Sequence, residues 1–119
     1  MVLNRNIDFF IKNVLNLDLN NDIIFIKDKD FRYIYVNNMF CELFNIDLNH
    51  VIGKKDSDFI LDKGLLSTCS QSDAYTLENN FLICTEKTFD KDFKVLKLKI
   101  DLGDNKIGIL CFAKMKKSD

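Results

Sequence analysis

The residues equipped for chemistry are few. Among the carboxylates, Asp28 with Asp30 and Asp56 with Asp58 stand two positions apart. One histidine, His50, and four cysteines, Cys41, Cys69, Cys84 and Cys111, complete the reactive set. A carboxylate doing acid–base work needs a positioned partner and a shifted proton affinity. Both pairs fall in polar loops or short helical turns and carry no base or nucleophile of the Ser–His or Cys–His kind, so solvated loop acids are expected. His50 lies in DLNHVIG among polar neighbours, where a water-facing side chain is expected rather than a metal or haem ligand. The cysteines are widely spaced and form no CxxC pair. That pattern predicts reduced, buried thiols in a cytoplasmic protein, not a disulfide frame or a zinc site. With no glycine-rich phosphate loop either, catalysis by this domain is not expected.

The elements that must position these side chains are drawn from 119 residues, enough for one domain. Apolar residues make up 47% of the chain and eleven residues are Phe, so a bulky core can form. A net charge of -1 offers nothing to attract nucleic acid or an anionic membrane. The charge runs KDKD and KMKKSD read as solvated surface. No apolar run approaches the ~20 residues of a membrane span, and Asp8 and Lys12 interrupt any signal-peptide core.

Residues 3–17 read as a helix, because Leu3, Ile7, Phe10, Val14 and Leu17 are spaced 4, 3, 4, 3 like a coiled-coil seam. Phe9, Ile11 and Leu15 widen the stripe. Two readings stand: the helix packs on its own domain, or it pairs with a second copy. Strands are expected over 23–27 and 32–36, joined by a polar loop. In RYIYVNNMF the apolar spacing then switches from two to about 3.6, which marks a strand running straight into a helix. Asn37 is suited to cap that helix, and Met39, Phe40, Leu43 and Phe44 form its buried face. Short helical turns follow at 47–51, stopped by Gly53, and at 56–61. A helix over 70–78 is expected without a clean apolar stripe. Strands return at 81–89, 93–102 and 106–114, with turns at 90–92 and 103–105. Strands paired through short turns, with helices segregated to one face, make an α+β plan built on an antiparallel sheet. The expected organisation is an N-terminal amphipathic or dimerisation helix over 1–21, the domain over 22–115, and the start of a linker or tail at 116–119.

The run IFIKDKDFRYIYVNNMF, then IDLNHVIGKKDSDFI, resembles a PAS domain of the bacterial signalling type. The matching positions are Val36, Asn37 and Phe40, then Ile52, Gly53, Lys54 and Asp58, and DLGDNKIGILCFAK resembles the family's last hairpin, with Gly108 near the start of the final strand. The resemblance covers residues 22–114. It implies a five-stranded antiparallel sheet in the order 2-1-5-4-3, with short helices enclosing a pocket against one face. It further implies a sensory and dimerising module that regulates an attached output domain, such as a histidine kinase, a diguanylate cyclase or a DNA-binding domain. The chain departs from the family where its linker motif would follow the last strand, since KMKKSD stands there instead.

Specialised members of the family need particular chemistry. No reactive-cysteine flavin motif surrounds any of the four cysteines, and His50 is not placed as an axial haem ligand, so neither cofactor is expected. An apolar pocket remains. By alternation Ile24, Ile26, Ile34 and Val36 would face the helices, closed by Phe40, Leu43, Phe44 and Phe59, with Leu96, Leu98, Leu110 and Phe112 from the last strands. Tyr75 and Thr85 are the polar candidates. These residues either enclose a small, largely apolar guest or pack at normal density with no room for one. In the second case the domain works by association alone, as a ligand-free dimerisation module.

Overall fold

The computed structural model describes residues 21–116, and the seam residues Leu3, Ile7, Phe10, Val14 and Leu17 lie outside them. β1 (Ile23–Asp28) and β2 (Tyr33–Val36) form a hairpin, followed by α1 (Asn38–Phe44) and two single 3-10 turns at Leu48–His50 and Asp56–Asp58. α2 (Lys63–Asn79) leads into β3 (Phe81–Thr88), β4 (Lys91–Gly103) and β5 (Lys106–Met115). The strands make one antiparallel sheet in the order β2-β1-β5-β4-β3. No helix among the described residues is long and apolar enough to cross a membrane.

Asn37 makes the strand-to-helix joint by serving both elements at once. Its backbone is extended, and its side-chain Oδ1 accepts from Phe40 N at 3.1 Å and from Ile24 N at 3.2 Å. Its Nδ2 donates to Asp22 O at 2.6 Å, and its own N–H donates to Ile24 O at 3.0 Å. The first turn of α1 is thus capped by a residue already sewn to β1. Gly53 ends the next turn with φ +82, the left-handed region that suits glycine. Its N–H donates to Tyr33 O, and its carbonyl accepts from Arg32 Nη1.

Three elements differ from the sequence expectation. The β3–β4 connection is a two-residue turn at Phe89 and Asp90, both at positive φ, rather than a turn over 90–92. Such turns match the twist of the flanking strands. The second helical turn stops at Asp58 rather than running to residue 61. α2 begins seven residues earlier than expected, capped by Asp62, whose side chain accepts from Leu65 N. Its inward face carries Leu65, Cys69, Ser72, Asp73 and Thr76 at helical spacing. The centre of that stripe is polar, so hydrophobic periodicity does not reveal it.

The sheet buries residues on both faces. On the helix side, Ile23, Val95, Cys111 and Ala113 pack with Tyr33, Val36, Phe40 and Val51. On the opposite side, Ile26, Leu96, Leu110 and Phe112 cluster with Ile24, Leu98, Ile100 and Leu102. The face expected for β1, β4 and β5 is therefore off by one residue. Strands apolar on both faces leave register unspecified by alternation, and Lys27 and Lys97 point inward, each about 1% exposed.

Candidate functional site

α1, α2 and the helix side of the sheet line a cavity of about 50 Å³ that is partly open to solvent. Aromatic rings dominate its wall. Phe25 and Tyr33 meet edge-on at 5.3 Å, Tyr33 lies 5.1 Å from Phe40, and Phe40 lies 4.6 Å from Phe44. Phe44 in turn touches Phe89 of the strained turn, edge-on at 5.4 Å. Cys69, Glu86, Thr88 and Lys97 supply the other chemistry on the wall.

Behind this wall lies a buried ionic network. Asp73, on α2, accepts from Lys27 Nζ of β1 at 2.6 Å through one oxygen and from Lys97 Nζ of β4 at 2.8 Å through the other. All three side chains are about 1% exposed. Lys27 also donates to Asp56 at 2.6 Å and lies 4.8 Å from the centre of the Tyr33 ring. Lys97 donates to Ser72 Oγ at 2.6 Å and stands 3.9 Å from Glu86. The Tyr33 hydroxyl donates to Asp56. Buried charges persist only when paired and hydrogen-bonded in this way.

The proton affinities follow the packing. Burial alone would raise the Asp73 carboxyl, but Lys27 and Lys97 hold it below the usual carboxylate range. Burial opposes the charge of both lysines. Asp73 and Asp56 overcome it for Lys27, and Asp73 and Glu86 for Lys97, so both are raised. Burial, with Asp56 adding to it, pushes the Cys69 thiol up to about 12. Burial also lifts the Cys111 thiol and, with Asp56, the Tyr33 phenol. The site thus presents charged lysines and carboxylates beside protonated thiols. Among the described residues no cluster of His, Cys, Asp or Glu is placed to hold a metal, and the four cysteines are free thiols.

Of the residues singled out in the sequence, Phe40, Leu43 and Phe44 line the cavity. Phe59 packs against the same core, within ring contact of Tyr33, Phe40 and Phe44. Val36 is buried on the helix side, whereas Ile34 is exposed, because a bulge in the β1–β2 pairing breaks the alternation of β2. Ile24, Ile26, Leu96, Leu98, Leu110 and Phe112 belong to the opposite face, away from the cavity. Tyr75 is half exposed on α2, and Thr85 is exposed on β3. Asp56, expected to be a solvated loop acid, is instead bonded to Lys27 and Tyr33. His50 is largely exposed. Sequence reasoning missed Lys27, Lys97, Asp73, Glu86, Tyr33 and Cys69. The available signal was a lysine interrupting an apolar run, Lys27 after IIFI and Lys97 in VLKLKI, where Lys99 stands two positions on.

The family described as PAS fold matches residues 17–79. No curated protein sequence matches the chain at a significant level. Several solved structures share its shape. A domain of an HTR-like protein from Haloarcula marismortui superposes with a TM-score of 0.69 at 10% identity, over 82% of this chain and 99% of that one. A sensory box sensor histidine kinase from Vibrio cholerae gives 0.66 at 13% identity, over 96% and 94%. The VqmA dimer of Vibrio cholerae, described among LuxR-type receptors, gives 0.67 at 16% identity, over 98% of this chain and 52% of that one. At such identities the likeness is one of fold.

Proposed function

The chain belongs to the PAS family, and on that footing we propose that it is the sensory domain of a signalling protein, its role recognition rather than catalysis. The observation that carries this reading is an aromatic-walled cavity whose far wall is the ionic link between α2 and the sheet. Asp73 ties α2 to an inner strand on either side of β5, through Lys27 and Lys97. A guest that displaces α2 must strain both contacts together, so a change at the cavity is handed to the sheet. The response then passes to an attached output domain such as a histidine kinase, a diguanylate cyclase or a DNA-binding domain. A homodimer, formed through the seam of Leu3, Ile7, Phe10, Val14 and Leu17, is the assembly in which that response is read. Such a switch needs two packings within a few kcal/mol of each other. The small volume of the cavity, about 50 Å³, favours one other reading, in which the core stays closed and the domain signals by dimerisation alone.

Native mass spectrometry of the protein as purified separates the two. Excess mass that disappears on unfolding supports a ligand sensor. A dimer carrying no excess mass, with no small molecule raising its melting temperature, rules the ligand reading out and leaves the dimerisation module.

A further inference from the structure

The charges at the cavity do not balance. The network joins two cations, Lys27 and Lys97, to three carboxylates, Asp56, Asp73 and Glu86. Each lysine makes two hydrogen bonds within it. Lys27 Nζ has Asp56 and Asp73 as partners and the Tyr33 ring beside it. Lys97 Nζ donates to Ser72 and Asp73 and has only a long contact of 3.9 Å left for Glu86. Asp56 accepts from Lys27 and Tyr33, and Asp73 accepts through both oxygens. Glu86 is the member with the weakest protein partners. Its Oε1 has the long Lys97 contact and a weak donor, the Cys84 thiol at 3.8 Å, and no hydrogen bond is made to its Oε2 among the described residues. Yet its side chain is only 11% exposed and lines the cavity.

An oxygen with no protein partner that faces the pocket can accept from a guest, and a cation arriving there would balance the network's excess negative charge. An anion would meet an excess of negative charge. The aromatic wall suits the same choice, since ring faces attract cations. Size narrows the guest further. A dry cavity of about 150 Å³ accepts benzene, and about 50 Å³ admits only a few heavy atoms without rearrangement. Resting on the reading that this cavity takes a guest, we propose that the guest is a small organic monocation, a short alkylammonium whose N–H groups donate to Glu86 while its hydrocarbon body packs among the rings.

Three probes with one carbon skeleton test this: isobutylamine, isobutanol and isobutyrate, titrated at pH 7 and equal ionic strength into the 15N-labelled protein and followed by NMR. Isobutylamine should shift the amides around Phe40, Cys69 and Glu86 saturably and bind about tenfold tighter than isobutanol, the increment of a charge-assisted hydrogen bond. Isobutyrate should not bind. Glu86→Gln should bring the amine down to the alcohol's affinity and leave the alcohol unchanged, and Glu86→Asp should keep part of the preference. Equal binding of amine and alcohol in the wild type, an amine preference that survives Glu86→Gln, or tight isobutyrate binding overturns the cation assignment while the cavity stands as a binding site. If none of the three binds, both this inference and the ligand reading beneath it fall. The wild-type comparison decides the matter even if Glu86→Gln does not fold.

Discussion

Asp73 joins three elements of the site, α2, β1 and β4. It is shared by lysines from two strands, and each of its oxygens accepts a short bond. Asp73→Asn leaves two buried ammonium groups short of a counter-charge. Breaking a buried pair from one side costs about 3–5 kcal/mol, and urea unfolding at pH 7 should show a loss of that order. The pH dependence has a definite sign. The carboxyl is held below its usual range in the folded state, so its contribution is full above the unfolded value of about 3.9. It is lost as pH falls through the lower folded value. Wild-type stability should therefore drop in acid below about pH 4, and the D73N variant should lose part of that slope. A variant with the wild-type acid limb would show that other carboxylates carry it. The lysines act in the opposite sense. Their raised values mean a contribution that is complete below 10.5 and lost as pH rises through the folded values.

Among the elements, the β1–β5 pairing is the one that presents Lys27 to Asp73. Gly108 lies opposite Asp28 in that ladder, and a Cβ built there would stand 2.5 Å from the Lys27 carbonyl oxygen and 2.9 Å from Leu102 Cδ1. The backbone oxygen cannot retreat without breaking the ladder. Gly108→Ala should cost about 1–3 kcal/mol, the range for overpacking. Hydrogen exchange should show protection falling first in β1 and β5. Uniform protection would mean that the strands absorb the methyl without parting. α2 carries the same lesson in another form. Its buried Ser72 and Asp73 are polar because they meet two lysine heads rather than a hydrocarbon core, and the Thr76 hydroxyl is satisfied by donating to the Ser72 carbonyl.

For the whole molecule, the sheet order places the two lysine-bearing strands on either side of β5, which carries the wholly buried Ile109, Leu110, Cys111 and Phe112. On the proposed reading, a signal entering through α2 would reach the middle of the sheet directly. Its readout through a second copy can be tested at the seam. Phe10→Glu should convert a dimer to a monomer in sedimentation velocity while the far-ultraviolet circular dichroism stays unchanged. An unaltered dimer would remove the seam from the assembly and with it the proposed route to an output domain.

Much of this protein could be read before any coordinates. The RYIYVNNMF switch placed a strand, a cap and a helix, because spacing and the chemistry of Asn37 are local properties. Short polar turns implied an antiparallel sheet for the same reason. The PAS resemblance supplied the strand order, and that order is the one observed. What only the tertiary structure decided is which face of each strand meets the helices. Strands such as IIFIKD are apolar nearly throughout, so one register satisfies burial about as well as its neighbour, and a lysine in the row argues for the wrong one. Lys27 and Lys97 are inside because Asp73, far away in sequence, meets both of them. That long-range neutralisation leaves no trace in local periodicity, and it turns a sheet with an expected greasy pocket into one whose pocket ends on charge.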